Sequence, residues 1–250
     1  MSADRVVVCT PTFHRAELLK RAIESVLGQT YRDFEHVVVQ DGCDRGGECA
    51  ACRETAAVGE RFQKHDPRFR FVVLPEHMGG YGFYSRNWAI EHSDAPLIAY
   101  LDDDNWWEPT HLETLVNALR VSRASFAFSG TIMRDQRGRT IHRRISRRPY
   151  YMGIDTNEIV HRRELIGKYG AWKPTDAAVH NHDWELVARW LRSGETFAPS
   201  GEATTNYPLN PGRSALGYWY SFAKRRLFYE LSRVFQNADH RYRARDVTSK

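Results

Sequence analysis

Three consecutive carboxylates, Asp102-Asp103-Asp104, directly follow the apolar run Leu97–Leu101. Side by side they repel one another, so the arrangement is unfavourable unless a cation neutralises part of the charge. Hard oxygen donors of this kind select Mg²⁺ or Mn²⁺, and such an ion would also grip a diphosphate and stabilise it as a leaving group. The plainer alternative is an acidic turn that caps the following helix. Asp41 stands beside Gly42 at the end of another β-branched run. There it either accepts a hydrogen bond from a base or a ribose hydroxyl, or forms a simple Asp-Gly turn. Asp183 lies in His182-Asp183-Trp184-Glu185-Leu186, a stretch that opens a helix. It is either a general base for a hydroxyl or a charge suited to a helix N-terminus.

The four cysteines are Cys9, Cys43, Cys49 and Cys52. The spacing Cys43-x5-Cys49-x2-Cys52 suits zinc, with Cys9 or a histidine as fourth ligand. No second CxxC accompanies it, and small residues in a turn and helix start explain it equally.

These groups need a scaffold, and the chain supplies one. Its 250 residues are 42% hydrophobic and 27% charged, which suits a folded globule and excludes general disorder. The longest apolar runs, such as Val6–Cys9, Val37–Val39 and Leu97–Leu101, are strand-sized and far short of a bilayer span. Met1–Arg5 is short and polar, so the expected location is the cytoplasm. A formal charge of +5 with 11 histidines permits an anionic partner without requiring one.

The pattern predicts strands at Arg5–Thr10, Phe34–Gln40, Phe69–Leu74 and Pro96–Leu101. Helices are expected at Glu17–Leu27, Glu48–His65 and Tyr84–His92, with Pro11-Thr12 ending the first strand. Strand–helix alternation of this kind builds an α/β layer with a mainly parallel sheet. The polar clusters Pro11–Arg15, Gln40–Gly42 and Asp102–Asn105 then all fall at the carboxyl ends of strands, where such sheets bind ligands. Farther on, the reading gives a helix at Pro109–Val121, a hairpin from Ser125–Met133 and Thr140–Ile145, and helices at Arg163–Tyr169 and His182–Ser193. A long amphipathic helix at Ala215–Phe235 and a basic tail close the chain.

The run VVVCTPTFHRAELLKRAIESVLGQTYRDFEHVVVQDG resembles the opening of family-2 inverting glycosyltransferases of the GT-A fold. Ser25, Gln29, Thr30, Asp41 and Gly42 fall in that family's places. Ser85-Arg86-Asn87 resembles its A-R-N segment, Asp102-Asp103-Asp104 its D-x-D region, and Asp183-Trp184-Glu185-Leu186 its E-D-W-x-L signature. The resemblance covers about residues 5–195. It implies that Thr10, Pro11 and Thr12 line a nucleotide, mostly through backbone, with Arg15 close by. Asp41 would read the base, usually uracil. Arg86 would contact the nucleotide or diphosphate, and Asp103 or Asp102 the ribose or sugar. Asp104 would bind Mn²⁺ or Mg²⁺, and Asp183 would deprotonate the acceptor hydroxyl. The family's Glu before the base is His182 here, and the Asn of the first turn is His14. Gly79–Tyr84 is more aromatic than the family's small-residue loop.

The resemblance implies a UDP-sugar donor, with GDP and dTDP carriers open. Residues 1–105 would form the donor-binding half of a GT-A domain, 106–212 its acceptor-binding half, and 213–250 a C-terminal extension. Seven arginines in Arg134–Arg148 are a solvated hairpin face or a contact for an anionic acceptor. Trp219, Tyr220, Lys224 and Arg225 of the last helix pack on the core, attach peripherally to a membrane carrying a lipid-linked acceptor, or meet nucleic acid. His180, His182, Asn206, Asn210 and Arg213 are further polar candidates near an acceptor. Self-association is open. The rivals are a nucleic-acid-binding module, a catalytically inactive scaffold and a sugar nucleotidyltransferase. The last is disfavoured because Pro11–Arg15 is not a glycine-rich phosphate loop.

Overall fold

The computed structural model describes residues 4–44, 49–151, 153–173 and 182–209, with only the backbone for His182 and Asp183. The predicted helix at Ala215–Phe235 and its tail lie outside the described residues, as do His180, Asn210 and Arg213.

The first half alternates β1 (Val6–Thr12), α1 (Ala16–Leu27), β2 (Phe34–Gln40), α2 (Ala50–Gln63), β3 (Phe69–Val73), α3 (Phe83–Glu91) and β4 (Leu97–Tyr100). Strands β3, β2, β1 and β4 lie side by side and parallel. Val6, Val7, Val8 and Cys9 are all fully buried, so neither face of β1 meets water. That is the burial expected of a parallel strand covered on both sides by helices. On one face Val7, Cys9, Val37 and Val39 pack with α3; on the other Val6, Val8, Leu97 and Ala99 pack with α1.

Strand β1 runs through Pro11-Thr12, where the sequence reading ended it. The reason is its pairing: β4 pairs with β1 only as far as Cys9, so Pro11 is paired on one side alone, by β2. A missing N–H is tolerated where one flank of a strand is open. In α1 the buried stripe is Leu19, Ala22, Ile23 and Val26, while Leu18 faces outward. Buried Gln29 ties the end of α1 to later chain. Its Nε2 donates to the Ser25 and Glu108 carbonyls at 3.0 and 2.8 Å, and its Oε1 accepts the Leu112 N–H at 2.9 Å.

The second half holds β5 (Trp106–Trp107), α4 (His111–Ser122), β6 (Phe126–Arg134), β7 (Thr140–Arg144), β8 (Ile159–Arg162), α5 (Glu164–Tyr169), α6 (His182–Arg192) and β9 (Phe197–Pro208). The sheet order is β3-β2-β1-β4-β8-β6-β9-β5, with β7 beside β6. The parallel pairing expected of the sheet runs through the first half and recurs between β6 and β9, with antiparallel pairs around them. Strand β8 pairs antiparallel with β4 and β6, and β7 and β5 also pair antiparallel. Strand β8 was missed because four residues after a 3₁₀ turn carry too little pattern, and β9 because Pro199, Gly201 and Glu202 interrupt its apolar alternation. The hairpin of β6 and β7 matches the prediction to within a residue or two at each end.

Three buried histidines serve packing. His36 bonds Thr10 Oγ1 at 2.9 Å, His111 bonds Thr204 Oγ1 at 2.8 Å, and His161 Nε2 meets the Tyr100 hydroxyl at 2.8 Å. Burial holds them neutral, at about 3 for His36 and His111 and about 4 for His161. Unfolding releases each to titrate near 6.5, so the unfolded chain binds more protons and stability falls as pH drops below about 6.5. Each histidine contributes at most about 1.4 kcal/mol per pH unit, until its own depressed value is reached. Replacing His161 by Gln should flatten the dependence of unfolding free energy between about pH 7 and about pH 5 by up to about one proton. Denaturant titrations at each pH measure this; an unchanged slope would mean that His161 already carries charge in the fold.

Candidate active site

The order in which strands are added to the sheet reverses at β1. The first crossovers lead outward through β2 to β3, and the next strand, β4, lies on the opposite side of β1. Loops leaving such a point diverge and leave a crevice beyond the strand ends. A cavity of about 450 Å³ occupies that place, walled by Thr12 and Arg15 after β1, Asp41 after β2 and Asp102–Asp104 after β4. Gly79, Tyr81, Ser85 and Arg86 close it from the β3–α3 side.

The acidic run is compensated one carboxylate at a time. Asp102 bonds Arg86 Nη2 through Oδ1, and its Oδ2 accepts Asn157 Nδ2 at 3.0 Å. Its N–H donates to Asn157 Oδ1 at 2.5 Å. Asp103 is buried and accepts Thr12 Oγ1 at 2.7 Å and Arg15 Nη1 at 3.0 Å. Burial pushes its carboxyl up to about 6, against the pull of Arg15. Asp104 shares the same Arg15 Nη1 at 2.9 Å, and its carboxyl is also raised, by burial and then by the charge of Asp102. Arg15 is thus the one group bridging Asp103 and Asp104, and its own side chain is 49% exposed. An ion pair so open to water contributes little stability. The Asp104 side chain, 41% exposed on the cavity wall, offers hard oxygen in a region crowded with negative charge. This donor set fits Mg²⁺ or Mn²⁺.

Arg86 is buried, donates to the Tyr81 carbonyl at 3.0 Å and lies 4.9 Å over the Trp172 ring. Its neighbour Asn87 holds Trp172 by both backbone groups, at 2.9 and 3.0 Å. The segment Ser85-Arg86-Asn87 therefore ties the cavity wall to the chain just after α5.

Asp41 lines the cavity and also holds backbone around it. Its Oδ1 accepts the N–H groups of Gly42 and Met78 at 3.0 and 2.8 Å. Its Oδ2 accepts Gly79 N–H at 2.8 Å and lies 3.0 Å from His77 Nδ1. Four partners fill the acceptor sites of a carboxylate. Asp41 thereby shapes the 76–79 loop from its place on the cavity wall. Gly42 is needed for the same contact, since a Cβ there would sit 2.2 Å from the Glu76 carbonyl carbon. Thr10 is buried one turn of the pleat below Thr12, bonded to His36, and not on the cavity wall.

Sequence reasoning missed His77 and Asn157. His77 sits in the loop after β3, the one strand end not singled out although the same rule applied to it. Asn157 meets Asp102 across 55 residues and carried no local signal. Tyr81 also lines the cavity, 77% exposed and held at φ 52 in the left-handed region between Gly80 and Gly82. Asp183 lies in the first turn of α6, whose buried residues Leu186, Val187, Trp190 and Leu191 anchor it in the core shared with Trp172. The arginine-rich hairpin is partly spoken for: Arg134 pairs with Glu108 at 3.0 Å, Arg139 with Asp135 at 2.7 Å and Arg144 with buried Glu158 at 2.8 Å.

Known proteins share this architecture. The chain is 28% identical over 133 residues to the putative teichuronic acid biosynthesis glycosyltransferase TuaG of Bacillus subtilis, covering 53% of this chain and 49% of that protein. It therefore spans about half the length of that relative. Its fold matches that of S. aureus TarS 1–349 in complex with UDP, with a TM-score of 0.63 at 14% identity over 83% of this chain and 61% of that one. It also matches the Pyrobaculum calidifontis mannosyltransferase PcManGT in complex with GDP-Man and Mn²⁺, with a TM-score of 0.61 at 16% identity over 84% and 58%. These likenesses establish the GT-A fold. The sequence profile of Glycosyl transferase family 2 matches residues 7–169, from the first strand to the end of α5, and the chain belongs to that family.

Proposed function

We propose that the chain transfers a sugar from a nucleoside diphosphate donor to an acceptor hydroxyl, with inversion at the anomeric carbon. The observation that carries this reading is the convergence of Asp102, Asp103, Asp104, Arg15 and Arg86 on one cavity where the strand order of the sheet reverses. Residues 1–105 supply that donor half and residues 106–212 the acceptor half. Uridine diphosphate is the proposed carrier, since the TarS neighbour is in complex with UDP; the GDP-Man complex of PcManGT keeps guanosine as the second choice.

Asp104 and its neighbours would hold Mn²⁺ or Mg²⁺, which supplies charge neutralisation for a departing diphosphate when bound. Arg15, half exposed and shared by two carboxylates, is placed to turn toward phosphate oxygens. Pro11 and Thr12 face the nucleotide through the strand end, and Asp41 keeps the 76–79 backbone in position beside it. Tyr81 presents a ring edge or face for the base or sugar to stack on. Asp183 is the proposed base. It takes the acceptor hydroxyl proton as the oxygen attacks the anomeric carbon. The new C–O bond forms while the bond to the phosphate oxygen breaks, and the nucleoside diphosphate leaves with that electron pair. No enzyme nucleophile is needed for a single in-line displacement. Arg143, Arg147 and Arg148 remain exposed on the hairpin side and suit an anionic acceptor.

Two outcomes test this reading. In a thermal-shift panel of UDP, GDP, dTDP and CMP with and without Mn²⁺, one nucleotide at about 100 times its dissociation constant should raise the melting temperature by about 5–10 °C. The shift should need Mn²⁺ and vanish in Asp104→Ala; no shift with any nucleotide would overturn the donor-site reading. Asp183→Asn should lower the transfer rate by about 10²–10⁴-fold while leaving the nucleotide-induced shift intact. A retained transfer rate with unchanged donor binding would remove Asp183 from the reaction.

A further inference from the structure

Beside the donor cavity, the fold gathers a second donor set of different chemistry. His14, Cys43, Cys49 and Cys52 come from three pieces of chain, yet their ligand atoms all lie within 4.8 Å of one another. His14 Nε2 is 3.0 Å from Cys52 Sγ and 3.2 Å from Cys49 Sγ. The cysteines are not disulfide-bonded. We propose that these four residues bind a structural Zn²⁺ ion that clips the loop after β1 to the loop after β2 and the start of α2.

The donor chemistry is specific. Three thiolates and one imidazole form a soft set that favours zinc over the hard ions suited to Asp102–Asp104. Bond lengths of about 2.3 Å to sulfur and about 2.0–2.1 Å to nitrogen place tetrahedral donors roughly 3.5–3.8 Å apart, a spacing that small movements of this cluster reach. Four protein donors leave no open position, which marks the site as structural rather than hydrolytic.

Local geometry is arranged for the purpose. Cys49 is the N-cap of α2 and its Sγ accepts the Cys52 N–H at 3.3 Å, so the C-x2-C pair turns both sulfurs to one side of the helix start. The Cys52 carbonyl is held by buried Gln40 Nε2 at 3.2 Å. His14 sits at φ 57, a left-handed conformation uncommon for a non-glycine residue. Its ring stacks on Phe13, centroids 3.7 Å apart, which fixes its orientation toward the sulfurs. Sequence alone left Cys9 or a histidine as fourth ligand. Cys9 is fully buried in β1 among the core side chains, and the histidine that completes the set is His14.

The clip bears on the donor cavity through chain connectivity. His14 lies between Thr12 and Arg15, and Cys43 follows Asp41-Gly42 directly. An ion bound by both loops limits the motion of two of the cavity's walls without touching its ligand.

Untagged protein purified without chelators should carry about one zinc per chain by mass-spectrometric metal analysis. Cys9→Ala should retain it, whereas His14→Ala and the Cys49→Ser/Cys52→Ser pair should fall below about one tenth of an equivalent. Replacement by Co²⁺ in the wild-type chain needs no folded variant. It should give the intense visible bands of tetrahedral cobalt together with thiolate-to-cobalt charge transfer in the near ultraviolet. Wild-type protein that holds no zinc after zinc-supplemented expression, octahedral cobalt without the thiolate band, or zinc lost in Cys9→Ala but kept in His14→Ala would each overturn the proposal.

Discussion

The repulsion among Asp102, Asp103 and Asp104 is the constraint around which the donor side of this protein is organised. Three carboxylates in succession at the end of a fully buried strand cannot all be neutralised by water, because Asp103 lies in the interior. Each is answered by a different part of the chain. Asn157 and Arg86 hold Asp102, Thr12 holds Asp103, and Arg15 spans Asp103 and Asp104. These contacts bring the ends of β1 and β4, the start of α3 and the turn before β8 to one cavity. They do not cancel the charge crowding. Burial raises the carboxyls of Asp103 and Asp104, and the charge of Asp102 adds to it at Asp104. A ligand that brings a cation therefore relieves an unfavourable feature of the free protein.

The scaffold makes this arrangement durable. Strands β1, β2 and β4 are apolar on both faces and are locked between helices, so the sheet does not readily yield to the charges at its ends. The second half adds antiparallel strands to the same sheet, which lets β8 stand beside β4 and carry Asn157 in the turn before it. That turn is itself built on a buried carboxylate. Glu158 is paired with Arg144 at 2.8 Å and bonded to Thr131, with its capping partner Asp155 at the turn start. Breaking such a buried pair leaves a bare charge and is strongly destabilising. The position of Asp102 thus rests on a network that reaches into the β6–β7 hairpin.

What the sequence disclosed follows from how local each signal is. Asp102–Asp104, Asp41-Gly42 and the apolar strands before them are contiguous, so their chemistry and their placement at strand ends could be read directly. The first-half strands match closely for the same reason: buried parallel strands are unbroken β-branched runs. Asn157, Glu158 and His77 act across long separations, and nothing in their own neighbourhoods announces a partner. Asp41 lines the cavity, and the Met78 and Gly79 N–H groups that it also holds become visible only in three dimensions. Alternation puts Thr10 on the same face as Thr12 but one step deeper, against His36, a partner its own neighbourhood does not announce.

Loops at the ends of parallel strands have to satisfy opposing demands. They must leave backbone and charge accessible to a ligand, so they cannot be buried, and an unburied loop loses the packing that would fix it. In this chain the fixing is polar and point-like. Asp41 collects three backbone N–H groups of two loops, Arg86 reaches the Tyr81 carbonyl, and Asn87 pins the chain at Trp172. The loops after β1 and β2 both contribute cavity wall, and they and the start of α2 have the residues for one further tie in His14 and the three cysteines. A hydrophobic anchor there would have to fill space next to charged carboxylates and an open cavity of about 450 Å³. A compact soft-ligand site avoids that conflict, because it holds two loops together through bonds that need neither large apolar surface nor further carboxylate.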